Sequence, residues 1–160
     1  MSEPQKKKRI AIPKDLTEEA RITLANNVIE YIKERTDKNL DIDKKRFHKY
    51  SESYINSPDF KAAGKSPNDV NLRLSNEMME SMELIDQGPG YITIGYQEGT
   101  AANDKAVWQE RSDNGPSRMF VGISDKDLEV QIAKARIDSG IIDKAASGLA
   151  NNILKKFGLL

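Results

Sequence analysis

Asp15 to Arg35 reads DLTEEARITLANNVIEYIKER, and the spacing of its apolar residues sets the frame for the fold. Leu16, Ala20, Leu24, Val28 and Ile32 recur every fourth residue, with Ala25 and Ile29 beside them. Side chains so spaced lie on one face of an α-helix. Asp15 with Glu18 three residues later has the spacing of a capping pair, and Pro13 stands just outside it. Thr36, Asp37, Lys38 and Asn39 favour turns over helix interiors, so the helix is expected to end near Arg35. A stripe of this length needs an apolar surface to cover it. Tyr91 to Gln97 offers one, because Ile92, Ile94 and Tyr96 alternate with Thr93, Gly95 and Gln97, the pattern of a half-buried strand.

Outward from these two elements the signals weaken. Residues 1–13 are polar and basic up to Ile10, Ala11 and Ile12, and are expected to form an arm that is loose in the free subunit. Between 40 and 74, Pro58, Gly64 and Pro67 interrupt a polar stretch in which Phe47, Tyr50, Tyr54 and Phe60 are the large apolar groups. An extended excursion pinned by its aromatics is predicted there, with a short helical turn carrying Tyr50 and Tyr54. Ser75 to Ile85 is expected to be a second helix, through Met78, Met79, Met82 and Ile85, and Gln87 to Gly90 a turn. Asn103 to Glu110 suggests a helical turn or two, and Arg118 to Gly122, after an Asn114-Gly115-Pro116 turn, a second strand. Ser124 with Asp127 is another capping pair, opening a helix through Leu128, Ile132 and Ala135. Its face resumes after Gly140 with Ile141, Ile142, Ala145, Leu149, Ile153 and Leu154, and stops at Gly158.

The composition bounds the chemistry. At 160 residues the chain has the size of one domain. It has no cysteine, hence no disulfide framework, no thiolate nucleophile and no sulfur-based metal site. A single His makes a zinc site improbable too. Lys plus Arg and Asp plus Glu both total 25, so there is no broad basic field to hold nucleic acid through its phosphates. No stretch approaches the roughly 20 apolar residues that span a bilayer, and no apolar run follows Lys6 to Arg9 as it would in a signal peptide. A soluble protein that stays in the cell making it is expected.

Individual motifs give bland readings. Gly64, Lys65 and Ser66 end like a phosphate-binding loop, but Asp59 stands where that loop requires a glycine. Asp41 and Asp43 begin like a calcium loop, but Lys45 and Arg46 follow where an oxygen ligand and a glycine belong, so turn chemistry is expected instead. His48 has no evident nucleophile or carboxylate partner and reads as a surface or partly packed residue. Trp108 sits with Ala106 and Val107, which makes packing its first reading and a subunit contact its second. No catalytic, cofactor or metal residue is nominated.

Three stretches carry a resemblance. Leu40, Asp41, Ile42 and Asp43 through Phe47, then Tyr50, Ser51 and Tyr54, resemble the segment after the first helix in tailed-phage virion-morphogenesis and tail-completion proteins. Gly99 and Thr100 with Asn103 to Ala106 resemble that family's middle. Asn114 to Ser124, NGPSRMFVGIS, is similar to the family's P-x-R-x-F-x-G-I/L-S stretch before the last helix. The likeness spans about residues 16–136, more weakly through Gly64, Lys65, Asn71 and Leu72; Lys45 stands where the family often has Gly, and the chain continues beyond the usual end.

The resemblance implies an α+β fold in which an antiparallel sheet curls against a long helix, with long N- and C-terminal helices. It implies three regions: a flexible arm over 1–13, a tail-completion-like domain over 14–136 and a C-terminal helical extension over 137–160. In function it implies a non-enzymatic structural subunit of the head-tail junction, in the virion, without cofactor or membrane. The implied partners are further copies of itself in a ring, a hexamer first and a dodecamer second. Neighbouring head-completion, portal or adaptor and tail tube or terminator proteins follow, with double-stranded DNA passing through unbound. A small DNA-binding or regulatory protein is the alternative, and a small hydrolase the next. The expected subunit contacts are Arg118, Phe120, Trp108 and Tyr96. As a strand, 118–122 would put Met119 and Val121 in the core and Arg118 with Phe120 outside; the reverse reading makes Phe120 core and lets Arg118 snorkel past it.

Overall fold

In the computed structural model, residues 4–66, 68–70, 72, 77–111, 118–139 and 155–156 are described. Their elements run β1 (Lys7–Ala11), α1 (Glu18–Asp37), α2 (Glu52–Ile55), α3 (Pro58–Ala62), α4 (Glu77–Glu80), β2 (Glu83–Gly88), β3 (Tyr91–Gly95), α5 (Ala101–Glu110) and α6 (Asp125–Asp138). The fold is α+β: the strands form one antiparallel sheet in the order β1-β3-β2. The 20-residue α1 packs on β2 and β3 and, on another side, against α6.

The α1 stripe is buried as its spacing requires: Ala20, Leu24, Ala25, Val28 and Ile32 have no exposed surface, and Leu16 and Ile29 almost none. Each buried Leu, Val or Ile contributes roughly 1.5–3 kcal/mol. Ile10, Ile92, Ile94, Tyr96, Phe120 and Val121 close the same core from the other side. The N-cap is Thr17, whose hydroxyl accepts the Ala20 N–H at 3.2 Å. Asp15, expected as the cap, instead receives both guanidinium nitrogens of Arg136 at 2.9 and 3.2 Å, tying the entrance of α1 to α6. Ser124 caps α6 as predicted, accepting the Asp127 N–H.

Residues 7–11, expected as a loose arm, are a strand. Lys6 O accepts the Tyr96 N–H, and the Ile12 N–H donates to Gly90 O, both at 2.9 Å, with Lys7↔Gly95 to Ala11↔Tyr91 in register between them. Gly95 is what lets β1 approach: a Cβ there would lie 2.6 Å from the Lys7 Cα. The arm is further held by Asn103, which accepts the Lys6 N–H at 2.6 Å and donates to Pro4 O at 3.0 Å.

The expected helix through Ile85 stops at Glu80, and 83–88 is a strand. The turn through Pro89 and Gly90 is a hairpin connection, with Gly90 at φ +87°, the value a type II turn requires at its third position. A register shift between Leu84 and Asp86 accommodates Ile85 as a bulge, which hid the strand's alternation.

The segment 118–122 is not a strand. Its backbone groups are taken by partners outside any ladder: Arg118 N–H by Gln109 O, Met119 O by the Ile42 N–H, Phe120 O and Gly122 O by Arg35, and Val121 N–H by the Glu110 carboxylate. Once those groups are satisfied, pairing has nothing to add. The predicted helical start at Ser75, the Asn114-Gly115-Pro116 turn, and the apolar face from Gly140 to Leu154 with its cap at Gly158 lie outside the described residues.

Candidate functional site

The four residues expected at a subunit contact separate into three kinds. Phe120 and Tyr96 are wholly buried. Neither can meet a neighbouring copy, and their expectation as contacts is corrected: Phe120 fills the core, and Tyr96 is bracketed by its backbone bonds to Lys6 and to the Gln5 side chain. Arg118 is a staple. Its guanidinium donates to His48 O at 3.1 Å and Lys49 O at 2.7 Å, and its carbon lies 5.2 Å from the Tyr50 ring centre. Trp108, in contrast, is 57% exposed on α5, so the packing reading does not hold for it. Met119, expected inside, is 44% exposed. Trp108 and Met119 are the sequence neighbours of Gln109 and Arg118, which share a 2.8 Å backbone bond.

The sequence reading missed a buried polar group. Arg35 is 4% exposed and donates to Gly122 O at 2.9 Å and Phe120 O at 2.5 Å. Burial pushes its pKa down, and Tyr31, Asp127, Asp41 and Glu110 oppose that. The signal was present: Val28, Ile32 and Arg35 follow one stripe at four-and-three spacing, so a cation was pointing into the core. Asp127 is its counterpart on α6. Burial would raise its pKa, but bonds from Lys44, Tyr31 and Ser124 outweigh that and hold it below the ordinary carboxylate value. Burial raises Glu110, whose main opposing influence is Lys6, 3.1 Å away.

The motifs weighed for chemistry have structural roles. Asp41 Oδ1 accepts the Asp43 and Lys45 N–H groups, each at 2.9 Å, and the loop closes through a Leu40↔Arg46 bridge, so the calcium-like start is turn chemistry as expected. Lys65, in the Gly64-Lys65-Ser66 loop, donates to the Tyr50 hydroxyl at 2.9 Å, and that oxygen also accepts the Leu72 N–H at 3.2 Å. Burial lowers Lys65 to about 8 and pushes Tyr50 up to about 12. Tyr50, Tyr54 and Phe60 form an edge-to-face cluster with centres 5.0 to 5.9 Å apart, the aromatic pin predicted for this stretch. His48 is exposed, and among the described residues no group of three or more His, Asp or Glu is placed to hold a metal ion.

Two further surfaces belong to the sheet. On the face away from α1, Lys7, Arg9, Ile85, Asp86 and Thr93 line a depression of about 310 Å³. Among the described residues, β1 and β2 each lack a second strand neighbour, so both edges are open. No helix of the described residues is long and apolar enough to cross a membrane. Comparison of the chain with protein-family profiles, with curated proteins and with solved structures finds no match.

Proposed function

We propose that the chain is a structural subunit of a tailed-phage head-tail junction, forming a ring through which DNA passes. The observation that carries this reading is that the first and last of the stretches on which the resemblance rests, far apart in sequence, adjoin in space: the Ile42 N–H donates to Met119 O at 3.1 Å, and the Arg118 guanidinium carbon lies 5.2 Å from the Tyr50 ring centre. Arg118 also grips the His48 and Lys49 carbonyls, which lie between Phe47 and Tyr50. Its amide bonds to Gln109 on α5, the helix that opens at Thr100 in the middle stretch. Residues that recur together for the sake of a fold are expected to touch, as Ile42 with Met119 and Tyr50 with Arg118 do. In this reading the motif's Arg and Phe hold the subunit together, and the family's curled sheet corresponds to β1-β3-β2 lying against α1.

Among the described residues, the open edges on both sides of the sheet and the exposed Trp108 and Met119 would give such a subunit surfaces for its neighbours. A hexamer is the first expectation and a dodecamer the second. The competing reading, a small DNA-binding protein, takes its support from the exposed Lys7, Lys8 and Arg9 on β1. Electron micrographs of the purified protein with linear duplex DNA distinguish them. Rings, with DNA that washes away at every salt concentration, are expected. DNA retained by single subunits at low salt and released steeply as salt rises would overturn the ring in favour of the regulator.

A further inference from the structure

We infer that neighbouring copies join edge to edge, the basic β1 edge of one subunit seating against the acidic β2 edge of the next; this rests on the ring reading. β1 exposes Lys7, Lys8 and Arg9, whereas β2 carries Glu83 and Asp86, both exposed. The bonds at Lys6–Tyr96 and Ile12–Gly90 fix the phase of β1. In an antiparallel ladder alternate residues pair inward, so Lys8 and Ile10 face β3 and Lys7, Arg9 and Ala11 turn their backbone groups to the open side.

Lysines and a bulge are common guards against edge pairing. Here they discriminate between pairings. Two β1 edges would set cations against cations, and two β2 edges carboxylates against carboxylates, so the symmetric, two-fold arrangements are disfavoured. A β1 edge against a β2 edge joins opposite signs. Such a contact is head-to-tail, and it gives a ring where its rotation closes.

Within one subunit Arg9 lies over the Tyr91 ring, whose hydroxyl donates to Asp86 at 3.2 Å, and Lys7 and Arg9 share a depression with Asp86. These charged side chains stay exposed, so a neighbouring copy can still reach them, and edges paired about 4.8 Å apart would add a row of opposite charges.

The test reverses each edge in turn, as Lys7→Glu with Lys8→Glu, and as Glu83→Lys with Asp86→Lys, and reads assembly mass by light scattering. The lysine positions avoid the Lys6–Glu110 ion pair and the Arg9–Tyr91 stack, whereas the acidic ones give up bonds from the Gln97 amide and the Tyr91 hydroxyl. Wild-type assembly should weaken as salt rises. Each reversed variant should need about tenfold more protein or worse to assemble. Mixing the two variants should restore assembly, since the reversed edges complement one another, and the complexes should alternate. Melting curves verify that the variants are folded, and the wild-type salt series needs no variant at all. Wild-type rings insensitive to salt, or variants that assemble as the wild type does, overturn edge pairing and leave the ring standing. A single-chain mass for wild type at every salt and concentration overturns the ring and the edge pairing with it.

Discussion

Phe120 has no exposed surface, and its carbonyl is held by Arg35. Replacing it with alanine empties a filled core position, and urea unfolding of the isolated subunit should show a loss of about 3–5 kcal/mol. Trp108→Ala is expected to behave oppositely: at 57% exposure it should change subunit stability by less than about 0.5 kcal/mol while weakening assembly. Arg35→Ala leaves the Phe120 and Gly122 carbonyls without their partner, at about 1–3 kcal/mol for each acceptor that water does not reach. Asp127 sets an acid limit. Its folded pKa lies below the unfolded value of 3.8, so its contribution is complete above that value and disappears as pH falls through the folded pKa. An acid titration followed by circular dichroism should therefore show a transition below about pH 4 that shifts or shrinks in Asp127→Asn.

At the scale of elements, β1 is the part whose role depends most on its neighbours. Gly95→Ala forces a methyl against the Lys7 backbone and should cost about 1–3 kcal/mol, with the loss concentrated in β1. Hydrogen exchange should find Lys8 and Ile10 amides protected in the free subunit, with Lys7, Arg9 and Ala11 exchanging fast and slowing on assembly. The helices α1 and α6 were legible because each repeats a stripe over many residues; Ser124 also marked the start of α6, whereas α1 opens on Thr17 and not on Asp15. β3 was legible from strict alternation. β1 was not, since four consecutive basic residues conceal any period and only the pairing with β3 gives them a strand's geometry. β2 was concealed by its bulge, which puts Leu84 and Ile85 side by side as a helix would. The 118–122 segment defeated a strand reading for a different reason: Arg35, over eighty residues away, supplies its hydrogen bonds. Of the expected contact residues Trp108 is the most exposed: Phe120 is buried where 118–122 forms no strand, and Tyr96 is buried with Ile92 and Ile94, on the face that alternation assigned it.

At the scale of the whole molecule, one core gathers α1, the sheet, the aromatic cluster and the 118–122 segment. Among the described residues, the sheet presents a basic edge at β1 and an acidic edge at β2, and Trp108 and Met119 are exposed. In the proposed ring these surfaces meet neighbouring copies. The direct measurement is the mass of the purified protein by native mass spectrometry across a range of concentrations. The proposed ring predicts a closed species at a fixed multiple of the 18.0 kDa chain, six copies first and twelve second, with no ladder of larger sizes. A mass of one chain at the highest concentration, or a series of sizes growing without limit, would contradict it.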